Sequence, residues 1–228
     1  MSSIIPDKSC PEDSSSTVLS PHTSLRWGNA HVFTVIDDEG QKYVVKDFRA
    51  CRPLVRHTWA RLMLWRESRA FIRLQHIDGT PGPAISLEGW AIKYPYIDGF
   101  TLREAMLNGH KLNQSFFEEL EALVITVHNE AAVHLDLRNG RNILITNSGK
   151  PALIDFQTVI FTDYLPSFIR HLLFSIDFSG VYKHWDRALP GTLSKERRKT
   201  MDKVQFIRPL WFIKGYLLRK KFKRPQKK

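Results

Sequence analysis

The sequence predicts an α+β fold in which strands come first and helices follow. Strand signals gather within residues 25–98, interrupted by one helical stretch. Beyond residue 99 the apolar periodicity becomes mostly helical, and a short polar loop flanked by strand-like runs sits inside that half. Segregation of this kind differs from the strict alternation that builds a parallel doubly wound sheet. With 228 residues, 43% of them hydrophobic and 11% aromatic, the chain can bury one good core or two small lobes that share an interface. That composition excludes a disordered or fibrous protein.

The elements follow in order. Residues 1–24 hold eight Ser and three Pro without sustained periodicity and are expected to form a flexible leader. The runs HVFTVI and KYVVKDF, joined by DDEG, predict an antiparallel hairpin. Between His57 and Leu74, the residues Trp59, Leu62, Met63, Ala70, Phe71 and Leu74 recur at three- and four-residue steps and predict one apolar helical face, with Glu67 on it. A carboxylate there requires a cation, because burying it alone costs several kcal/mol. DGTPGP ends this unit, and PAISLEGWAIKYPYIDG predicts a second hairpin that closes a region spanning 25–98. From residue 99 to 200 a mostly helical region follows. In it Phe116, Phe117, Leu120, Leu123, Val124 and Val127 mark an amphipathic helix leading into the strand-loop-strand AVHLDLRNGRNILI, and PALIDFQTVI adds a strand.

Charge is concentrated at the end of the chain. The formal net charge is +11, yet residues 195–228 hold fourteen Lys or Arg against Glu196 and Asp202, so the rest of the chain sits at −1. Residues 201–228 mix Trp211, Phe212, Tyr216 and Leu218 with these cations, a composition suited to a helix lying on an anionic membrane. The same residues are also compatible with a last helix packed on the body with a solvated charged end, or with nucleic acid bound by cations and stacking aromatics. Two cysteines make neither a disulfide framework nor a metal-ligand set, which fits a reducing cytoplasm. The first residues lack the basic-then-apolar pattern of a secretory signal, and no stretch reaches the roughly 18–20 apolar residues that cross a bilayer. The expected location is cytoplasmic, or peripheral at the inner face of the cytoplasmic membrane.

The candidate chemistry rests on an ordered set. Lys46 ends the strand run YVVK, Glu67 lies on the inward face of the next helix, and HLDLRNGRNILI is followed by LIDFQ. These strings resemble the catalytic loop and metal-binding motif of the protein-kinase superfamily, HRDxxxxN and DFG. The resemblance covers about residues 25–160 and is nearest to small atypical branches: the RIO-type kinases and the kinases of lipopolysaccharide inner-core sugars (Kdo and heptose). It implies a bilobal fold with a five-stranded antiparallel N-terminal lobe plus one helix and a reduced, mostly helical C-terminal lobe. It further implies Asp136 as catalytic base, Asn142 and Asp155 as Mg²⁺ ligands, Lys46 and Glu67 as the phosphate-positioning pair, and Arg138 against the transferred phosphate. KYPYIDGFTLREAM resembles the hinge of these kinases. The backbone around Tyr94, Tyr96 and Ile97 would then meet the adenine, with Val35 and Val44 as an apolar lid and Gly28 in the phosphate-covering loop. His128 and His134 are expected to pack and hydrogen-bond rather than bind metal.

The departures also have consequences. Asn142 is six residues after Asp136 rather than five, which places one inserted residue at about Asn139 or Gly140. Ala30 and Phe33 stand where the loop pattern has glycine, Leu135 replaces the HRD arginine, and Gln157 replaces the DFG glycine. No APE follows, so the platform for a peptide substrate is expected to be missing. The resemblance therefore implies an ATP- and Mg²⁺-dependent kinase acting on the hydroxyl of a saccharide or lipid-linked glycan. Two alternatives stand beside it: a RIO-like serine/threonine kinase whose tail meets RNA, and a nucleotide-binding pseudokinase.

Overall fold

The computed structural model describes residues 17–21 and 30–211, and its elements form an α+β fold. Gly28, most of the expected leader and residues 212–228 lie outside the described residues. The largest sheet has the order β1 (Thr17–Pro21), β2 (His31–Ile36), β3 (Lys42–Asp47), β5 (Ala91–Pro95), β4 (Ile85–Leu87), with every neighbouring pair antiparallel. Within the segment expected to be a flexible leader, Thr17–Pro21 form strand β1, which pairs antiparallel with the edge of β2 and completes backbone groups there.

Between β3 and β4 the chain enters a continuous helical stretch. Pro53 opens α1 (Pro53–Val55), a π-helical turn follows at Arg56–Ala60, and α2 (Arg61–Leu74) completes it. The inward stripe of α2 is Met63, Leu64, Glu67, Ala70, Phe71 and Leu74, continuing Ala60 of the π turn. Trp59 and Leu62, expected on that face, are 57% and 42% exposed. The physical reason is phase: the inward positions repeat as 60, 63, 67, 70 and 74, and the wider π turn carries Trp59 outward.

The second half begins at β6 (Gly99–Thr101) and α3 (Leu102–Leu107), whose capping box pairs Thr101 and Glu104 reciprocally. Helix α4 (Gln114–Asn129) is capped by Asn113, whose side chain accepts from the Phe116 amide at 3.0 Å. Strands β7 (Ala132–Val133), β8 (Ile143–Thr146), β9 (Pro151–Leu153) and β10 (Ile160–Phe161) form two small antiparallel sheets, β6-β8-β9 and β7-β10. Helices α5 (Ser167–Ala188) and α6 (Lys195–Trp211) follow.

One buried cluster runs from the sheet to the helices. Phe71 meets Tyr94 at 4.7 Å and Phe156 at 5.9 Å between ring centroids, and Phe117 stacks on Trp185 at 5.5 Å. Helix α6 passes without a break through the boundary expected at residue 200, and its first half belongs to the body. Arg197 donates to Glu121 Oε2 at 2.6 Å and lies over Trp185, Arg198 meets Asp186 at 2.7 Å, and Val204 is buried. No helix among the described residues is long and apolar enough to cross a membrane.

The reassigned helix face gives a stability test. Met63→Ala and Phe71→Ala should each cost about 2–5 kcal/mol in urea unfolding, whereas Trp59→Ser and Leu62→Ser should stay within about 0.5–1 kcal/mol. Equal losses from the two pairs would contradict the observed phase.

Candidate active site

Strand parity places the lysine. In β3, Val44 and Lys46 share a face, and their direct partners Thr34 and Val32 on β2, with Tyr94 and Ile92 on β5, stand on that face too. Lys46 is 4% exposed, and its Nζ lies 2.6 Å from Glu67 Oε1 and 2.9 Å from Asp155 Oδ1. Glu67 is fully buried and points from α2 across to the strand. Burial pulls the Lys46 ammonium down, but Asp155 and Glu67 together hold it above the ordinary lysine range. Burial pushes the Glu67 carboxyl up against the opposing pull of Lys46. Burial would also raise Asp155, but the neighbouring Lys46 holds it below the usual carboxylate range.

Asp155 adopts a left-handed backbone with φ of 65°, which a short polar residue tolerates, and a 3-10 turn at Phe156–Thr158 follows. The unusual torsion therefore falls on Asp155, and Gln157 sits inside a right-handed turn that needs no glycine. His134 reaches the same segment through Nε2, which donates to the Ile154 carbonyl at 3.0 Å, and its ring rests on Phe156. Thr158 Oγ1 donates to the His134 carbonyl at 2.7 Å.

The polar loop carries Asp136 beside Asn142. Asn142 Nδ2 donates to Asp136 Oδ2 at 2.9 Å and to the Asp136 carbonyl at 3.2 Å. Asn139 Nδ2 donates to Asn142 Oδ1 at 3.2 Å, so Asn139 supports Asn142 from behind. The Asn142 carbonyl accepts from the Ile154 amide at 3.0 Å, which puts Asn142 next to the strand that delivers Asp155. In the same loop the Gly140 carbonyl accepts from the Arg103 amide at 2.9 Å. Burial raises the Asp136 carboxyl above its ordinary value, partly opposed by the hydrogen bond from Asn142.

A residue absent from the sequence candidates anchors this loop. Asp177 of α5 is buried; its Oδ2 accepts from the His134 amide at 2.8 Å and its Oδ1 from the Leu135 amide at 2.7 Å, while His128 Nε2 lies 3.1 Å from Oδ2. Leu135 has φ of 65°, a conformation costing a branched residue about 1–2 kcal/mol, and these bonds hold it there. The signal was a lone acid in the apolar run FSIDFSG, since a carboxylate inside such a helix needs donors. Further along α5, Lys183 Nζ donates to the Arg138 carbonyl at 3.0 Å and His184 Nε2 to the Leu137 carbonyl at 3.1 Å. Gly180 permits this approach: a Cβ there would lie 2.8 Å from the Arg138 nitrogen.

Two expected roles change. The Arg138 guanidinium donates to Ser179 Oγ at 3.1 Å, which ties the loop to α5. Val35 faces away from Lys46, packing with Phe33 and Val45 on the other side of the sheet, because an odd offset along β2 flips the face; Val32 and Thr34 share the Lys46 face with Val44. Tyr94 lies on the cleft side with its ring buried against Phe71, and the Tyr96 amide donates to the Lys42 carbonyl at 3.0 Å, with Ile97 following partly exposed.

Asp155 and Asn142 offer one carboxylate and one amide oxygen from adjacent backbone. Hard oxygen donors of that kind suit Mg²⁺, which takes one or two protein carboxylates and completes its shell with phosphate and water. No group of three or more His, Cys, Asp or Glu suited to a metal occurs among the described residues. Compared with known proteins, the chain matches no family model, and no curated protein matches it.

The loop clasp has a pH signature. Burial, then Lys183, lowers His184 from its ordinary 6.5 to about 4. Between those values the unfolded chain binds a proton that the folded chain refuses, so stability is lost as pH falls from 6.5 toward 4, by up to about 3 kcal/mol. Urea unfolding across this window should show a shallower acid loss for His184→Gln than for the wild type. Parallel curves would remove His184 from the clasp.

Proposed function

We propose that the chain is an ATP- and Mg²⁺-dependent phosphotransferase on a bilobal protein-kinase-like fold, passing the γ-phosphate to a hydroxyl of a saccharide or lipid-linked glycan. The observation that carries this reading is the convergence of five side chains from distant parts of the chain. Lys46 is shared by Glu67 and Asp155, and Asp136 is hydrogen-bonded to Asn142 on the strand beside Asp155.

In this reading the Lys46 ammonium, held charged by its carboxylates, binds the phosphates, and Glu67 keeps it from turning away. Asp136, raised by burial, accepts the proton of the acceptor hydroxyl as that oxygen bonds to the γ-phosphorus and the bridging oxygen leaves with ADP. Asp155 and Asn142 would hold Mg²⁺, whose chemistry is to neutralise charge building on the phosphate oxygens. The absent peptide platform and the basic chain end support a glycan acceptor at a membrane face, with the membrane met through the C-terminal residues.

Purified full-length protein given γ-labelled ATP, Mg²⁺ and cell-envelope lipid fractions should transfer label to an alkali-stable glycan phosphate. Asp136→Asn should reduce transfer by about 10²–10⁴-fold with nucleotide binding retained. Nucleotide binding without transfer in the wild type would leave a pseudokinase instead, and label on protein would favour the RIO-like alternative.

The loop register has its own test. Asn142→Ala should raise the Mg²⁺ concentration needed for half-maximal transfer by about ten-fold or more, and Asn139→Ala should change it far less. A Mg²⁺ titration with the reverse ranking would place the ligand at Asn139.

A further inference from the structure

The outward side of the α1–α2 stretch has no role in the cleft. Trp59 is 57% exposed and Trp65 53%, with Leu62 beside them and Leu54 ahead on α1. Arg52, Arg56, Arg61, Arg66, Arg69 and Arg73 are interleaved with these apolar residues, and the single acid of the stretch, Glu67, is buried on the opposite face with Lys46. Arg69 lies over the Trp65 ring at 5.0 Å and Arg61 over Trp90 at 5.2 Å, so cation and aromatic surface are presented together.

We propose that this face docks the protein on an anionic lipid bilayer. Large apolar side chains left in water at the outer positions 59, 62 and 65, each flanked by guanidinium groups, match the interface of a bilayer. There indole rings sit at headgroup depth and arginines reach lipid phosphates. A second copy of this chain fits poorly, because it would bring one arginine row against another. Asp163 is taken by Arg73 at the C-terminal end of α2, at 2.8 Å. The helix is already ordered by its inward stripe, so docking requires no folding of the segment. The Lys46–Glu67 pair stays intact on the opposite side. This surface is built from residues 54–73 and is distant in sequence from the basic C-terminal residues.

The test uses the full-length protein with phosphatidylcholine vesicles, with and without phosphatidylglycerol. Flotation should show binding to the anionic vesicles only. Trp59→Gln with Trp65→Gln should weaken it by about ten-fold or more, and Arg61→Gln with Arg69→Gln by about twenty-fold. Brominated phosphatidylglycerol should quench wild-type tryptophan fluorescence, and the double tryptophan variant should lose most of the quenched component. The proposal is overturned if both double variants float like the wild type, leaving the chain end to do all the binding. It is also overturned if bromolipid fails to quench the wild-type protein, or if the tryptophan pair instead abolishes self-association seen without lipid. Neither vesicle measurement needs ATP, so a failure here is distinct from a failure of phosphoryl transfer.

Discussion

The candidate site depends on one ammonium group shared between two carboxylates. Lys46 comes from β3, Glu67 from α2 and Asp155 from the turn after β9, so one ammonium joins three elements at charged atoms. Each group requires the others: burial alone would neutralise Lys46, and removing it would leave two carboxylates facing each other in a poorly solvated place. Truncating one member of such a buried set costs about 3–5 kcal/mol, so loss of Lys46 disturbs folding as well as chemistry. Asp136 stands apart from this core. It is half exposed to the cleft and held by neutral amide bonds, which makes it the cleaner handle on the reaction itself.

The loop that carries Asp136 is positioned from behind by α5. Asp177 accepts two backbone amides at His134 and Leu135, Lys183 and His184 cap the carbonyls of Arg138 and Leu137, and Gly180 lets the helix backbone come close enough. Backbone-directed bonds of this kind fix the path of the chain whatever side chains the loop bears. Within that path Gly140 packs against Arg103 and His184, and Asp136 and Asn142 are hydrogen-bonded to each other.

Residues whose position is set by local rules were legible in the sequence. The β2–β3 hairpin follows from alternating β-branched residues around a turn, and Glu67 had to find a cation because its helical position faces inward. What escaped depended on phase or on distance. A π turn carries Trp59 outward, and Leu62 falls one residue out of phase with the inward positions 60, 63, 67, 70 and 74. Val35 lies one residue from the cleft-facing position, and in a strand one residue is the other side of the sheet. Arg138 and Asp177 are decided by what α5 brings against the loop, more than forty residues away for the acid and its amides, and no local pattern encodes that approach. The pairing of β1 with β2 is likewise settled by an open sheet edge rather than by the composition of the leader.

Net charge is a poor guide to which surface of this chain is basic. Outside residues 195–228 the balance is −1, yet residues 52–73 concentrate six arginines while α4 carries Glu118, Glu119 and Glu121. The acids of the helical half are partly matched inside the molecule: Glu121 takes Arg197 together with the Tyr182 hydroxyl, and Asp186 takes Arg198. Part of the basic C-terminal charge therefore serves to seat α6 on α4 and α5, and those side chains contribute less to an outside partner than their number suggests. The arginines of α1–α2 are arranged differently. Arg61, Arg69 and Arg73 lie over tryptophan and phenylalanine rings, which leave the positive charge uncancelled, and Arg73 also meets the Asp163 carboxylate. A field of one sign over exposed apolar surface attracts an opposite, extended charge far more effectively than the same number of cations already paired within the fold.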